Sequence, residues 1–163
     1  MKKMVVNLIP FNTTSFEQRM ATREWRNTPD VACWFKIPFI DEETHRRWVL
    51  SMEESHARSC AFFIRADGTD IGVTYFHSIN YQEGTADWGI YLRSDSARGK
   101  GLGSQAMQQA IDYAINTLHL CCLMLDVHRE NTRAIRLYER MGFRRLHDEE
   151  NGFLRYIKEL PVN

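Results

Sequence analysis

The sequence has no excess of either charge and no long apolar run. Its 163 residues include 21 Lys plus Arg and 21 Asp plus Glu, so the formal net charge is zero. General nucleic-acid binders usually carry a basic excess or stripe, so this balance argues against that class. No stretch approaches the roughly 18 apolar residues of a membrane-spanning helix. The composition favours a globular protein, and the length predicts one domain over residues 1–163.

The chain also has few cysteines and little that resembles a targeting signal. The first residues, MKKMVVNLIPFNTT, lack the long apolar core of a signal peptide. Of the four cysteines, Cys121 and Cys122 are adjacent in an apolar run, which is typical of reduced core thiols. We therefore predict a cytoplasmic protein. A zinc site from these two cysteines with His119 and His128 is an alternative, but its spacing matches no structural zinc pattern and we expect no metal.

Periodicity and turn signals predict the element order β-α-α-β-β-β-α-β-α-β-β. Hairpin turns are expected at residues 66–69 and at the Asn-Gly pair 151–152. Ser15, Asp41 and Asn131 are expected helix N-caps. The apolar run LCCLMLDV predicts a central strand that is buried on both faces. We therefore predict an α/β (α+β) fold, with a mixed central sheet of about seven strands and helices on both faces.

A glycine-rich stretch, RGKGLGS at residues 98–104, lies between a predicted strand and a predicted helix. The first turn of a helix has backbone N–H groups without partners and a partial positive charge. Glycines beside it allow a bulky anion to approach the backbone. The stretch is suited to a phosphate or pyrophosphate, although a plain glycine-rich turn is the simpler interpretation. Its singly alternating glycines match neither the P-loop nor the dinucleotide-binding fingerprint.

Two motifs in order carry a family resemblance. Residues 98–103, RGKGLG, resemble the Arg/Gln-x-x-Gly-x-Gly/Ala signature of the GNAT superfamily of acetyl-CoA-dependent N-acetyltransferases. DVHRENTRAIRLYERMGF, residues 126–143, is similar to the second half of that family's cofactor site. One helix and one strand separate the motifs, as in the family. The resemblance implies a GNAT-like acyl-CoA N-acyltransferase fold and direct transfer of an acetyl group to a primary amine.

The N-terminal half is similar to one branch of the family. The segments EWRNTPDVACWF and THRRW resemble a branch that includes ribosomal-protein N-terminal acetyltransferases. The same branch includes the enzyme that acetylates a nucleotide-linked 4-amino sugar in pseudaminic-acid synthesis. Polyamine acetyltransferases share the C-terminal half. The acceptor candidates are therefore a protein N-terminus, a nucleotide-linked amino sugar and a polyamine, with a non-catalytic acyl-CoA-binding module as an alternative function.

The resemblance implies that acetyl-CoA binds as a co-substrate along both motifs. Its pyrophosphate is expected on the glycine-rich stretch. Its pantetheine arm is expected along the preceding strand, where backbone N–H groups would stabilise the oxyanion. The expected cofactor-binding residues are Ile90, Tyr91, Leu92, Arg98, Gly99, Lys100, Gly101, Leu102, Gly103, Ser104 and Asn131. A helix cap is the simpler role for the last of these.

The resemblance also implies two catalytic residues. Tyr138 matches the family tyrosine that protonates the leaving thiolate, although its helical spacing also fits a core residue. An acceptor ammonium has no lone pair, so a base must first remove a proton. Asp87 is the expected base, acting through water, because it lies on the strand where many relatives carry a glutamate. Glu24, His45 and His77 are alternative bases.

The acceptor pocket is expected between the first two helices and the last hairpin, as in the family. The expected substrate-binding residues are Trp25, Arg26, Trp34 and His45. Aromatic rings can stack on a sugar, a base or a peptide, and Arg26 can meet an anion. Core packing is the simpler interpretation of the tryptophans. We expect an amine acceptor and no nucleic-acid or membrane partner, while the sequence leaves a homodimer open.

Overall fold

The computed structural model describes residues 2–93 and 99–162. Its strands are β1 (Val6–Pro10), β2 (Cys60–Ala66), β3 (Thr69–Asn80), β4 (Thr85–Leu92), β5 (Cys122–His128), β6 (Arg144–Asp148) and β7 (Phe153–Glu159). They form one sheet in the order β1-β2-β3-β4-β5-β7-β6. The β4–β5 pair is parallel and the other pairs are antiparallel. The predicted mixed sheet of seven strands is confirmed.

The helices are α1 (Phe16–Asn27), α2 (Pro29–Ala32), α3 (Glu42–Ser51), α4 (Leu102–Asn116) and α5 (Thr132–Arg140). The side chains of Ser15, Asp41 and Asn131 each accept a hydrogen bond from the backbone N–H three residues later. These bonds satisfy first-turn donors and confirm the three predicted N-caps. Within residues 2–93 and 99–162, no helix has both the length and the apolar character needed to cross a membrane.

Helices cover both faces of the sheet, as predicted. On one face, Trp25 of α1 and Trp48 of α3 pack against a core that includes Phe63 of β2. On the other face, Met107 of α4 packs in a larger core that also contains Trp88 of β4. Successive strand residues point to opposite faces, so one strand contributes to both cores.

The two predicted hairpin turns are present. Asp67 and Gly68 have φ values of 47° and 79°, and they join β2 to β3. Asn151 and Gly152 have φ values of 61° and 82°, and they lie between β6 and β7. Asn, Asp and Gly are the residues that tolerate this left-handed conformation best, which explains why sequence alone located both turns.

The prediction for β5 holds on one face only. Leu123, Leu125 and Val127 are buried, as expected. The alternate residues are not buried, and Asp126 is exposed. Asp126 on this second face lines a cavity, which Leu125 and Val127 of the first face also border.

Candidate active site

The parallel strands β4 and β5 separate part-way along their length. They pair only between residues 85–87 and 122–124. Beyond that point β3 still covers the outer edge of β4, and β7 covers the outer edge of β5. The sheet therefore opens into a wedge-shaped gap at the C-terminal ends of its two central strands.

A cavity of about 290 Å³ continues from this gap between β4, α4 and α5. Five of the predicted cofactor residues line it: Ile90, Tyr91, Leu92, Gly103 and Asn131. The structure thus brings residues of the two motifs, which are far apart in sequence, to the lining of one cavity.

The glycine-rich stretch forms the start of α4 at this cavity. Gly101 is the N-cap of α4, with φ of 74°, and no side chain caps the first turn. A Cβ atom at Gly99 or Gly101 would meet no atom of the described residues within 4 Å, so these residues leave the backbone there open. A Cβ at Gly103 would lie 3.4 Å from Leu137 Cδ2, where α4 and α5 approach closely. Open backbone at a helix start fits an anion such as a pyrophosphate.

The other predicted residues of the stretch differ in exposure. Leu102 is buried against the core beside β1 and β2, so only its backbone is available at the helix start. Lys100 is exposed and Ser104 is half-buried in the first turn. Arg98 lies outside the described residues.

Tyr138 lies where two cavities meet. It lines the 290 Å³ cavity and a neighbouring cavity of about 320 Å³. Its ring is buried and packs 6.0 Å from that of Phe143. Among the described residues its hydroxyl has no hydrogen-bond partner. Burial raises the pKa of Tyr138 above its usual value, so the phenol keeps its proton at neutral pH and is available as a donor.

Asp87 lines the 320 Å³ cavity but is not free. Its Oδ1 lies 2.6 Å from Arg155 Nη1, an ion pair whose angle departs from that of a hydrogen bond. Arg155 Nη1 also lies 3.1 Å from Asp126 Oδ1, and Lys36 Nζ lies 2.9 Å from Asp126 Oδ2. The predicted base is therefore one end of a network of four charged side chains.

His77 is the register partner of Asp87 across β3 and β4. It lines the 320 Å³ cavity and a third cavity of about 350 Å³. Burial lowers the pKa of His77, and the charge of Asp87 opposes that shift. The sequence named this residue only as an alternative base, whereas the structure places it between two cavities.

The 350 Å³ cavity has an aromatic and cationic lining. Arg26, His45, Trp48, Tyr75 and Tyr91 contribute to it. Among its described lining residues there is no carboxylate. The 320 Å³ cavity shares Arg26, Tyr75 and His77 with it and also contains two carboxylates, those of Asp87 and Asp126.

Arg26 has an incomplete set of partners. Its Nη2 donates to Ile37 O at 2.7 Å, and its Cζ lies 3.5 Å from the centroid of the Phe35 ring. Its Nη1 is buried and has no hydrogen-bond partner among residues 2–93 and 99–162. Burial lowers the pKa of Arg26, because its charge has left water without a carboxylate beside it.

The remaining predicted acceptor residues occupy different places. Trp34 lines the 290 Å³ and 320 Å³ cavities. His45 lines the 350 Å³ cavity, but its Nε2 lies 3.2 Å from both Thr22 Oγ1 and Arg19 O, so it also joins α3 to α1. Trp25 packs 5.8 Å from Phe63 and is not among the lining residues of the three cavities.

Tyr75 was not identified from the sequence, although a signal was present. A Cβ atom at Gly89 would overlap the ring of Tyr75, so the tyrosine ring lies directly on that glycine. Burial raises the pKa of Tyr75 to about 12. A glycine inside a strand often marks such a close approach, and Gly89 in ADWGIYL is the sequence signal for this one.

The described residues, 2–93 and 99–162, contain no group of three His, Cys, Asp or Glu that could hold a metal ion. Members of the alternative zinc set lie at opposite ends of β5, which begins at Cys122 and ends at His128. Six steps of extended chain separate these two residues by about 20 Å.

The family comparison agrees with this geometry. A family model described as "Acetyltransferase (GNAT) domain" matches residues 6–144. Acetyltransferase PseH of Campylobacter jejuni is 29% identical over 130 residues, covering 80% of this chain and 78% of that protein. Spermidine N(1)-acetyltransferase of Escherichia coli K12 is 35% identical over 126 residues, covering 72% of this chain and 62% of that protein.

A solved structure shows the same fold. The crystal structure of Campylobacter jejuni N-acetyltransferase PseH in complex with acetyl coenzyme A has a TM-score of 0.71 at 22% identity, covering 96% of this chain and 100% of that chain. The open helix start, the gap between β4 and β5 and the cavity between the two motifs fit an acyl-CoA co-substrate. The chain belongs to the GNAT acetyltransferase family and is an acetyl-CoA-dependent N-acetyltransferase.

Proposed function

We propose that the acetyl acceptor is a primary amine on a molecule that also carries an anionic group, with a nucleotide-linked amino sugar as the leading candidate. The observation that carries the proposal is Arg26, a cation that has no carboxylate partner among the described residues and lies in an aromatic cavity. A buried charge is costly unless a counter-ion accompanies it. A phosphate of the acceptor would supply that counter-ion.

The fixed position of Arg26 supports a recognition role. The bond to Ile37 O and the face of the Phe35 ring hold its guanidinium group before any substrate arrives. A guanidinium group presents donors in a planar fork that matches the oxygens of a phosphate. Trp34 and His45, both predicted acceptor residues, line the adjoining walls, and Trp25 precedes Arg26 on α1.

The aromatic rings of the 350 Å³ cavity are suited to contact the nucleobase or sugar ring of the acceptor. Trp48 and Tyr75 line it, and their ring centroids lie 5.8 Å apart. Aromatic faces of this kind stack on nucleobases and pack against sugar rings. A protein N-terminus followed by an acidic side chain is the second candidate, because it offers the same pairing of amine and anion.

A polyamine is a less suitable acceptor for this cavity. A polyamine carries several ammonium groups, which need carboxylates to bind them. The carboxylates of the neighbouring cavity, Asp87 and Asp126, are already paired with Arg155 and Lys36. Arg26 would in addition repel a polycation. Similarity to a spermidine acetyltransferase therefore does not outweigh the charge of the site.

The residues predicted around the co-substrate have proposed roles in this reaction. Backbone N–H groups of residues 99–104 would hold the pyrophosphate, and Ile90, Tyr91, Leu92 and Asn131 would flank the pantetheine arm. Acetyl-CoA supplies the acetyl group as an activated thioester. Tyr138 would protonate the leaving sulfur, because it keeps its proton and lines both the co-substrate cavity and its neighbour. Asp87 would serve the proton-accepting side.

The experiment is an amine panel that scores thiol release from acetyl-CoA. It compares a nucleotide-linked 4-amino sugar, spermidine, and a peptide whose free N-terminus is followed by an acidic side chain. We expect kcat/KM for the amino sugar to exceed that for spermidine by at least about tenfold, since one lost charge-assisted contact is worth about 1.5–3 kcal/mol. Arg26→Met is expected to remove this preference and leave the Kd of CoA unchanged.

Arg58→Met is the matched control. Arg58 also donates to a backbone carbonyl, Ile79 O at 3.2 Å, but it lines none of the three cavities. Its variant should keep the wild-type acceptor preference. A wild-type preference for spermidine, or a gain in spermidine turnover as the only effect of Arg26→Met, would contradict the proposal. The cytoplasmic location, the lack of nucleic-acid and membrane partners and a homodimer stay predictions from the sequence.

A further inference from the structure

The strand that carries His77 changes its register directly after that residue. His77 pairs with Asp87, and the next pair is Asn80 with Thr85, so β3 contains one extra residue there. Ser78, inside this bulge, has φ of 50°, which is uncommon for a residue other than glycine. Bulges of this kind occur next to active sites, where they redirect a side chain. The local backbone is thus arranged around His77 at some conformational cost.

His77 connects the acceptor side with the acyl-transfer side. It lines the 350 Å³ cavity together with Arg26 and the 320 Å³ cavity together with Tyr138. Its Nδ1 lies 3.2 Å from Ser78 Oγ. When Nδ1–H donates to that hydroxyl, Nε2 keeps the lone pair that a base needs.

Charged and titratable groups face His77 from every element around it. They are Tyr75 on β3, Asp87 and Tyr91 on β4, Asp126 on β5, Arg155 on β7, His45 on α3, Tyr138 on α5, and Arg26 and Lys36 on the walls of the shared cavities. Burial and Arg155 disfavour the charged imidazole and lower the pKa of His77, whereas Asp87 and Asp126 oppose that shift. The ring is therefore neutral at neutral pH and able to accept a proton.

We propose that His77 accepts the proton of the acceptor amine and that Asp87 is a positioning residue, whose charge stabilises the imidazolium that forms. The inference rests on the proposed amine acceptor. Asp87 suits the supporting role because Arg155 Nη1 already occupies its Oδ1 at 2.6 Å. The cross-strand pairing places its backbone directly opposite that of His77.

The proton balance is complete with groups already named. The acceptor ammonium gives one proton to His77 Nε2, and the freed lone pair forms a bond to the acetyl carbon. The bond between that carbon and sulfur breaks, and the electron pair stays on sulfur. The Tyr138 hydroxyl protonates the sulfur and recovers a proton from the nitrogen, which becomes the amide. His77 then releases its proton to solvent.

The kinetic test compares His77→Gln with His147→Gln, a control at an exposed histidine on β6. We expect His77→Gln to lower kcat/KM about 100-fold at pH 7, within the usual contribution of a general base. The deficit should shrink towards pH 9, because more of the amine is then unprotonated in solution. The Kd of CoA should not change. Wild-type kcat/KM in His77→Gln, or a loss of equal size at every pH, would overturn the inference.

A second test begins with a titration that needs neither acetyl-CoA nor turnover and then compares it with the pH dependence of kcat/KM. An NMR titration of the apo protein should give His77 a pKa below its usual value. Asp87→Asn should lower that pKa further and move the acidic limb of kcat/KM to lower pH, while Asp87→Glu, which keeps the charge, should restore both. A His77 ring that is protonated at pH 7, or one that is insensitive to Asp87→Asn, would overturn the inference.

The two tests separate this inference from the proposed acceptor. A wild-type protein that acetylates no amine of the panel defeats the proposed function. A protein that acetylates an amine equally well with and without His77 defeats this inference alone.

Discussion

The phenol ring of Tyr138 meets the indole of Trp88 edge to face, with ring centroids 5.9 Å apart. Trp88 is itself fixed, because its Nε1 donates to Thr74 Oγ1 at 2.8 Å and its ring stacks on Phe143 at 5.9 Å. Tyr138 belongs to α5, yet residues of β3 and β4 set its position. The position of the proposed proton donor therefore depends on core packing of the sheet.

Replacing Tyr138 by phenylalanine tests the proton donor. The change removes a hydroxyl without a partner and keeps the ring contacts, so the fold should be unaffected. We expect kcat to fall by at least about tenfold while the Kd of CoA stays the same. Tyr113→Phe is the control, because Tyr113 packs against Phe62 away from the three cavities. Unchanged kcat in Tyr138→Phe would remove this residue from the mechanism.

The Thr74 hydroxyl is predicted to be essential for stability. It is fully buried, and Thr74→Val leaves the Trp88 N–H without an acceptor. An unsatisfied buried donor costs about 1–3 kcal/mol, so the free energy of unfolding should fall by about that amount in urea. Thr74→Ser keeps the hydroxyl and should lose less. If the Thr74→Val protein is as stable as the wild type, the hydrogen bond from Trp88 Nε1 to Thr74 Oγ1 contributes nothing to the free energy of unfolding.

A pair of glycines separates backbone strain from co-substrate binding. Gly101 and Gly68 have φ values of 74° and 79°, and in the described part of the chain a Cβ at either would meet no atom within 4 Å. Alanine at each position should destabilise the fold by about 1–2 kcal/mol, because both are left-handed. Only Gly101→Ala should also weaken CoA binding, by about tenfold for each 1.4 kcal/mol of lost contact. Calorimetry with CoA measures the difference, and equal affinities would place the pyrophosphate elsewhere.

Acid should destabilise the fold through His45. Burial lowers the pKa of His45 in the folded state, so the unfolded chain binds the proton first as the pH falls. Its stabilising contribution is therefore complete above the ordinary pKa of about 6.5 and is lost as the pH falls below it. His45→Gln should reduce the drop in Tm between pH 7 and pH 5, and His147→Gln should not. A steeper drop in the Tm of His45→Gln over this pH range would show that the folded state does not lower the pKa of His45.

The features that the sequence predicted correctly arise from local interactions. Ser15 caps α1 through a backbone N–H three residues away, and Asp67 and Gly68 form a turn with their own φ values. The glycine-rich stretch lies at a helix start because glycine is tolerated there. Such signals are contained within a few neighbouring residues, so one sequence is enough to locate them.

The features that the sequence did not predict depend on how strands pair with segments that lie elsewhere in the chain. Nothing near Asp87 indicates that Arg155 will occupy its carboxylate, and nothing near His77 indicates a bulge. The open face of β5 was also unexpected, because an apolar run does not reveal a neighbouring cavity. Neither an ion-pair partner that is distant in sequence nor a neighbouring cavity produces a pattern in the local sequence.

The last strand of the sheet has a consequence for how the protein is made. β7 follows β6 in the chain but lies between β5 and β6, so a ribosome must finish β7 before the outer edge of β5 can be paired. Until then Asp87 lacks its ion-pair partner Arg155, and the backbone N–H and C=O groups at the outer edge of β5 lack their partners on β7. Nascent chains stalled before Phe153 should therefore be inactive and prone to bind chaperones, whatever the state of the co-substrate motifs.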